Sequence, residues 1–298
     1  MEGVVIPGHS RIRPKKSLGQ HFLVDPQVAQ RIAEASGVGP DDLVIEIGPG
    51  KGALTSFLLQ RAGTVVGIEL DRGLCEALSA RFASAAGFHL LNADALKADF
   101  AALLRRHGAC DAVVVGNLPY NIATPIILRL VSDCRGLRKA VVMVQREVAR
   151  RIVADPGPKD YGSLSIAVQV AATPRRLFDV GHDAFRPVPR VESTVLEIDL
   201  GRPASPVAEA VRQTFFEVVR WTFGHRRKML RGTLRTLPGH PLDPSQMDEV
   251  ASRSGFDLRR RPETFTIGDF EKLARVIQQV GGDRVRKSKS RDEGGADP

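Results

Sequence analysis

The sequence predicts an α/β fold in which a parallel sheet is wound with helices on both faces and joined to a smaller all-helical domain. Three observations predict it. Short apolar runs bounded by turn residues alternate with helical stretches through the first 200 residues or so. A glycine loop, Gly48-Pro49-Gly50-Lys51-Gly52, follows the first long run and leads into a helix. Past Arg202-Pro203-Ala204-Ser205-Pro206 the pattern becomes helical throughout.

Residues 1–20 carry Arg11, Arg13, Lys15 and Lys16 against one acid, Glu2, and read as a basic flexible arm. Ser17-Leu18-Gly19-Gln20-His21-Phe22-Leu23 then precedes a helix, with Asp25 as N-cap, Pro26 at the first helical position, Val28, Ile32 and Ala35 on one face, and Gly37 at the end. Leu43 to Gly48 is the first buried strand. The loop after it is no P-loop, because Lys51 is followed by Gly52 rather than Ser or Thr. It fits G-x-G-x-x-A through Ala53, so a nicotinamide site enters as one reading; its glycines would let backbone N–H groups approach a ligand.

Val65 to Leu70 forms a second strand, with Glu69 placed to accept hydrogen bonds from ribose hydroxyls. His89 to Asn92 is a third, leading to Asp94, and Ala112 to Val115 a fourth, leading to Gly116-Asn117-Leu118-Pro119-Tyr120. The glycine loop, Glu69, Asp94 and Asn117 thus fall at the carboxyl ends of successive strands, the edge where doubly wound sheets bind ligands. At the fourth strand's end, the Asn117 side-chain oxygen and the Leu118 carbonyl can accept hydrogen bonds from a flat exocyclic amine. Pro119 fixes the turn, and Tyr120 offers a ring face for an extruded adenine.

A helix over Thr124 to Val131, a strand over Ala140 to Val144 and a helix over Ser163 to Ala172 follow. Two last strands, Leu177 to Val180 and Ser193 to Leu200, flank the turn Phe185-Arg186-Pro187-Val188-Pro189, where Phe185 is expected to close over the second face of the base. In the helical part, Val207, Val211, Phe215 and Val218 form one apolar stripe and Phe270, Leu273, Ile277 and Val280 another, the latter preceded by the capping pair Thr266 and Asp269. Between the stripes, residues 221–235 contain Arg226, Arg227, Lys228, Arg231 and Arg235 and no acid, a segment suited to gripping a phosphate backbone. The expected division is 21–202 for the sheet domain, 203–280 for the helical RNA-binding domain and 281–298 for a disordered tail.

The whole chain has 298 residues and a formal charge of +9, which favours a polyanionic partner. Cys75, Cys110 and Cys134 lie far apart without a CxxC pair, so they read as buried thiols in a reducing compartment, with no metal site. No run approaches a membrane span and no secretory leader is evident, which gives a cytoplasmic expectation.

In Ser17 to Leu23, Glu46 to Gly50, Ile68 to Asp71, Asn92 to Ala95 and Asn117 to Asn121, the chain resembles the rRNA adenine dimethyltransferases. Within them it is similar to the type that modifies two adjacent adenines near the 3′ end of small-subunit rRNA. Phe185 to Val191, Phe223 to Lys228 and Gly255 to Asp257 extend the likeness into the second half, where the related large-subunit (Erm) enzymes fit less well. The resemblance implies a Rossmann-like S-adenosylmethionine-dependent methyltransferase sheet with a small C-terminal all-helical domain, and S-adenosylmethionine as cofactor. It implies that His21 and Leu23 border the methionine end, Gly48 underlies the cofactor, Glu69 holds the ribose, Asp94 the adenine amino group, and Asn117 the transferable methyl. Here His21 stands where one common variant has Asn, and Gly224 where Asn is frequent. The implied partner is small-subunit rRNA in an immature 30S-type particle, bound by a monomer. A ribosome-assembly factor whose binding outweighs its catalysis and the nicotinamide dehydrogenase are the competing classes.

Overall fold

The structure is a computed structural model that describes residues 19–293 apart from Cys134. The expected basic arm up to Leu18 and the last residues of the expected tail, 294–298, lie outside the described residues. In chain order the elements of the first unit are β1 (Phe22–Leu23), α1 (Pro26–Ser36), β2 (Leu43–Ile47), α2 (Ala53–Leu58), β3 (Thr64–Glu69), α3 (Arg72–Arg81), β4 (Phe88–Asn92), α4 (Phe100–Arg106), β5 (Ala112–Asn117), α5 (Ala123–Ser132), β6 (Leu137–Gln145) and α6 (Arg146–Ile152). After α7 (Ser163–Ala171) come β7 (Thr173–Val180), β8 (Phe185–Arg186) and β9 (Ser193–Asp199).

A seven-stranded sheet has the order β4-β3-β2-β5-β6-β9-β7. The first five of these strands are parallel; β9 runs antiparallel between β6 and β7. The chain walks outward from β2 to β4, then returns to place β5 on the other side of β2. That reversal leaves a crevice at the carboxyl ends of β2 and β5, between the glycine loop and Asn117. Strand β2 is buried at every position, as a central parallel strand covered on both faces must be. On one face, Val44, Val113, Val115 and Val141 pack with Val28 and Ile32 of α1 and Leu58 of α2. Each such side chain contributes about 1.5–3 kcal/mol when fully buried.

Helix α1 begins and ends as expected. The Asp25 carboxylate accepts from Gln27 N at 2.8 Å and Val28 N at 3.2 Å, and Gly37 takes a left-handed φ of 62° at the C-terminus. Strand β1 pairs antiparallel with β8, Phe22 opposite Arg186 and Leu23 opposite Phe185, in a two-stranded ribbon that the sequence reading did not foresee.

The second unit comprises Ala154–Val170 and the chain from Ala204 onward, so the division is not a single cut at residue 203: almost all of α7 belongs to the helical unit. Tyr161, Ile166 and Val170 explain this, since they are buried in the core formed by α8 (Glu209–Gly224), α9 (Leu230–Leu234), α10 (Pro244–Ser254) and α11 (Ile267–Glu293). Both expected apolar stripes are in that core. The capping pair is present too: Thr266 N donates to Asp269 at 2.9 Å, and Asp269 N donates to the Thr266 hydroxyl at 3.0 Å. Helix α11 continues past Gly281 to Glu293, where a disordered tail was expected. Of the two cysteines described, Cys75 is buried as expected, but Cys110 is exposed on the loop after α4.

Candidate active site

Gly48, Gly50 and Gly52 all adopt left-handed φ values, 67°, 60° and 77°. At Gly52 space also demands glycine, because a Cβ would fall 2.6 Å from the Phe82 ring. The loop does not aim these three amides at a ligand, contrary to expectation. Gly48 N donates to Ile68 O (2.9 Å), Gly50 N to Glu69 Oε2 (3.1 Å) and Gly52 N to Pro49 O (2.8 Å). A pyrophosphate therefore finds none of the glycine N–H groups that would cradle it, which removes the support for the nicotinamide reading.

The loop instead builds one wall of a cleft that Glu69, Asp94 and Asn117 also line. Glu69, the last residue of β3, is buried; its Oε1 accepts from Asp71 N at 3.0 Å and its Oε2 from Gly50 N. Burial pushes its pKa up, and the backbone donors oppose that shift. Each oxygen retains a lone pair for a further donor such as a hydroxyl. Asp94 both lines the cleft and caps a turn, accepting from Leu96 N at 2.9 Å through Oδ1. That cap uses Oδ1, which leaves Oδ2 as an acceptor for a ligand donor.

Asn117 ends β5. Its Nδ2 donates to the His21 carbonyl at 3.0 Å, and this bond sets the rotation of the amide. Its Oδ1 is buried without a hydrogen-bond partner. A buried amide oxygen without a donor costs roughly 1–3 kcal/mol, so in a native site it marks a place where a ligand donor belongs. Leu118 N continues the ladder to Met143 O (3.0 Å), and Pro119 O accepts from Ile122 N (3.1 Å), so the turn is rigid on both sides of the amide. Tyr120 is held by a 2.7 Å hydrogen bond between its hydroxyl and Ser193 Oγ, and burial raises its pKa.

The His21 ring stacks against Tyr120 with centroids 5.2 Å apart and planes 25° apart. Its Nδ1 lies 2.8 Å from Pro187 O, and because a carbonyl only accepts, that nitrogen carries the hydrogen. His21 thus contacts both Asn117 and Tyr120. Leu23 also lines the cleft.

Phe185 does not. It is 0 % exposed, paired with Leu23 across the β1–β8 ribbon, and packed into the core beneath α1 rather than over the cleft. Alternation in β8 is the reason: Phe185 points inward and Arg186 outward. Phe185 supports the wall that Leu23 forms. The sequence reading also left out Ser193, which anchors Tyr120, and Glu46, which lines the cleft from β2. An acid inside an otherwise apolar strand was the available signal for Glu46.

Arg226, Arg227 and Lys228 of the basic segment lie in the turn between α8 and α9, and Arg231 lies in α9 itself. Arg226 is occupied internally. It donates to the carbonyls of Lys159 (2.5 Å) and Pro158 (3.4 Å) and lies 3.7 Å from the Glu263 carboxylate, tying together a loop of its own unit. Arg231 pairs with Asp248 at 3.0 Å. Arg227 and Lys228 are exposed.

A parallel sheet with one inserted antiparallel strand, a cleft at its switch point, an acid at the end of β3 and an Asn-Leu-Pro-Tyr turn at the end of β5 define an S-adenosylmethionine-dependent methyltransferase. The profile described as ribosomal RNA adenine dimethylase matches residues 11–270, and the chain belongs to that family. It is 41% identical over 280 residues to the ribosomal RNA small subunit methyltransferase A of Pelotomaculum thermopropionicum, covering 91% of this chain and 94% of that one. It is 40% identical to the protein of the same description from Geobacillus thermodenitrificans, covering 89% and 92%. Among solved structures, a dimethyladenosine transferase from Plasmodium falciparum superposes with a TM-score of 0.72 at 25% identity, covering 88% of this chain and 98% of that one. The 23S rRNA methyltransferase ErmE shares the fold, with a TM-score of 0.65 at 24% identity over 86% of this chain and 99% of that one. The chain is accordingly an adenine N6-methyltransferase of rRNA that uses S-adenosylmethionine.

Proposed function

We propose that this enzyme dimethylates N6 of two adjacent adenines near the 3′ end of 16S rRNA, acting as a cytoplasmic monomer on an immature 30S-type particle. The relatives described as small subunit methyltransferase A support the choice of subunit. The observation that carries the chemistry is the buried, unpartnered Asn117 Oδ1 beside the Tyr120 ring. No helix of the described residues is long and apolar enough to cross a membrane.

The residues present fit the cofactor. Glu69 keeps acceptor capacity for ribose hydroxyls and Asp94 a free oxygen for an adenine amino group, while His21, Leu23 and Gly48 border the methionine end. Bound there, S-adenosylmethionine supplies a methyl group already activated by its positive sulfur. The protein's task is to make the adenine amine nucleophilic and to align it. That nitrogen's lone pair is delocalised into the ring. Asn117 Oδ1 and the Leu118 carbonyl, accepting from N6–H, favour pyramidalisation and disperse positive charge as the new bond forms. Because Nδ2 is fixed on His21 O, the amide offers its oxygen without rotating. Positioning of this kind can be worth up to about 7–11 kcal/mol. Tyr120, locked by Ser193, holds the extruded base; after the first transfer the methylated nitrogen loses one proton to solvent, and the monomethyl amine turns so that its remaining N–H meets an acceptor.

The test is incubation with labelled S-adenosylmethionine and unmethylated small subunits, followed by mapping of the label. Label at two neighbouring adenines near the 3′ end is expected; label on large-subunit rRNA alone would overturn the assignment in favour of the Erm-like reading. Rescue of a deletion strain by Asn117→Ala would instead favour the assembly-factor reading.

A further inference from the structure

We infer that Glu46 is the counter-charge by which the cleft prefers its cationic methyl donor to the uncharged thioether product, ionising when the sulfonium enters and regaining a proton when it is gone. This rests on the reading that S-adenosylmethionine occupies the cleft.

Glu46 is the next-to-last residue of β2 and is 1 % exposed, yet it forms part of the cleft lining. Its hydrogen-bond partner is the Thr55 hydroxyl of α2, which donates to Oε2 at 2.6 Å. No Lys or Arg pairs with it among the described residues. The neighbours facing it are one hydroxyl, Thr55, from α2, one carboxylate, Glu69, from β3, and Val115 from β5, which does not titrate. Around the cleft as a whole, Glu46, Glu69 and Asp94 stand against Lys51, whose ammonium sits 4.9 Å over the Phe22 ring at the rim, with the His21 imidazole and the Tyr120 phenol also in the lining. Glu69 and Asp94 already have backbone N–H donors on their oxygens, so Glu46 is the carboxyl of the three with neither a backbone donor nor a cation.

Burial and the nearby Glu69 push the Glu46 carboxyl up to about 8, so below that pH it is neutral until a cation approaches. A positive charge entering the cleft favours the carboxylate, and the proton passes to solvent. Methyl transfer leaves the sulfur neutral, with the former S–C bonding pair as a lone pair. With the cation gone, Glu46 takes a proton back from solvent. The thioether product therefore has no counter-charge to hold it, while the donor does.

Calorimetric titration at pH 7 in buffers of different ionisation enthalpy reads this directly, with S-adenosylmethionine and S-adenosylhomocysteine as ligands. The wild type should release close to one more proton with the donor than Glu46→Gln does; the donor's own amine titrates equally in both experiments and cancels in that difference. The ratio of donor to product affinity should rise towards tenfold per pH unit below the Glu46 midpoint and level off above it, because the amine common to both ligands cancels in that ratio. In Glu46→Gln the donor-to-product preference should fall by about tenfold. Thr55→Val removes the hydroxyl that favours ionisation, so the pH dependence should move upward; this variant serves if Glu46→Gln does not fold. Equal proton counts in wild type and Glu46→Gln, or an unshifted pH profile in Thr55→Val, would overturn the inference. Failure of the wild type to bind either ligand would overturn the cofactor reading itself, a different result from binding without proton release.

Discussion

Truncating Asn117 to Ala separates catalysis from stability, and the structure sets the size of both effects. The substitution deletes the Nδ2 bond to His21 O, 3.0 Å long in the folded protein. A bond of that kind contributes about 0.5–1.5 kcal/mol. It also deletes the buried, unpartnered Oδ1, whose desolvation costs about 1–3 kcal/mol. The two nearly cancel, so the net change in stability should stay within about 1–2 kcal/mol, a shift in Tm of a few degrees for a chain of this size. Catalysis has no such offset. Removing one preorganised group that stabilises charge in a transition state lowers kcat by about 10²–10³-fold, or about 2.7–4 kcal/mol. Single-turnover transfer from labelled S-adenosylmethionine to unmethylated small subunits should therefore fall at least a hundredfold, with cofactor Kd changed by less than about tenfold. A variant with normal Tm and turnover within tenfold of the wild type would refute the role given to the amide oxygen.

Three other predictions test different parts of the molecule. Phe185→Ala empties a fully buried site and should cost about 3–5 kcal/mol, seen as a lowered denaturation midpoint; a selective loss of kcat at unchanged stability would return Phe185 to the base-binding face. Glu46 binds a proton more tightly folded than unfolded, so stability is greatest below its ordinary value of 4.5 and is lost as pH rises to about 8. The Tm of Glu46→Gln minus that of the wild type should accordingly grow across that window and then level off; a pH-independent difference would mean the carboxyl is ionised throughout. Charge reversal at Arg227 and Lys228 should weaken rRNA binding and flatten its salt slope by roughly one unit per charge lost, whereas reversal at Arg226 should chiefly destabilise the helical unit by leaving Glu263 without its cation. Equal salt slopes for all three variants and the wild type would mean that this turn does not meet phosphate.

Much of the site was legible before folding because its residues lie at strand ends, and strand ends follow from local pattern. Apolar runs bounded by glycine and asparagine placed β2, β3 and β5 within a residue or two, and the parallel sheet then brought Glu69, Asp94 and Asn117 to one edge. The helix signals were local as well: the Asp25 cap, the Gly37 stop and the Thr266–Asp269 pair each depend on neighbours a few residues away.

Tertiary structure decided whatever depended on a distant partner. The Asn117 amide is turned by a carbonyl 96 positions earlier, and the His21 ring is held by a carbonyl 166 positions later. No spacing rule encodes either bond. The same holds for the inward turn of Phe185, set by pairing with Leu23, and for the assignment of α7 to the helical unit, set by the core that surrounds Tyr161. It holds for Arg226, whose charge is spent on a loop more than sixty residues away. Residue type and short-range periodicity determine which groups reach the sheet edge. Only packing decides which of their atoms are left without partners, because burial and hydrogen-bond satisfaction are properties of the assembled chain.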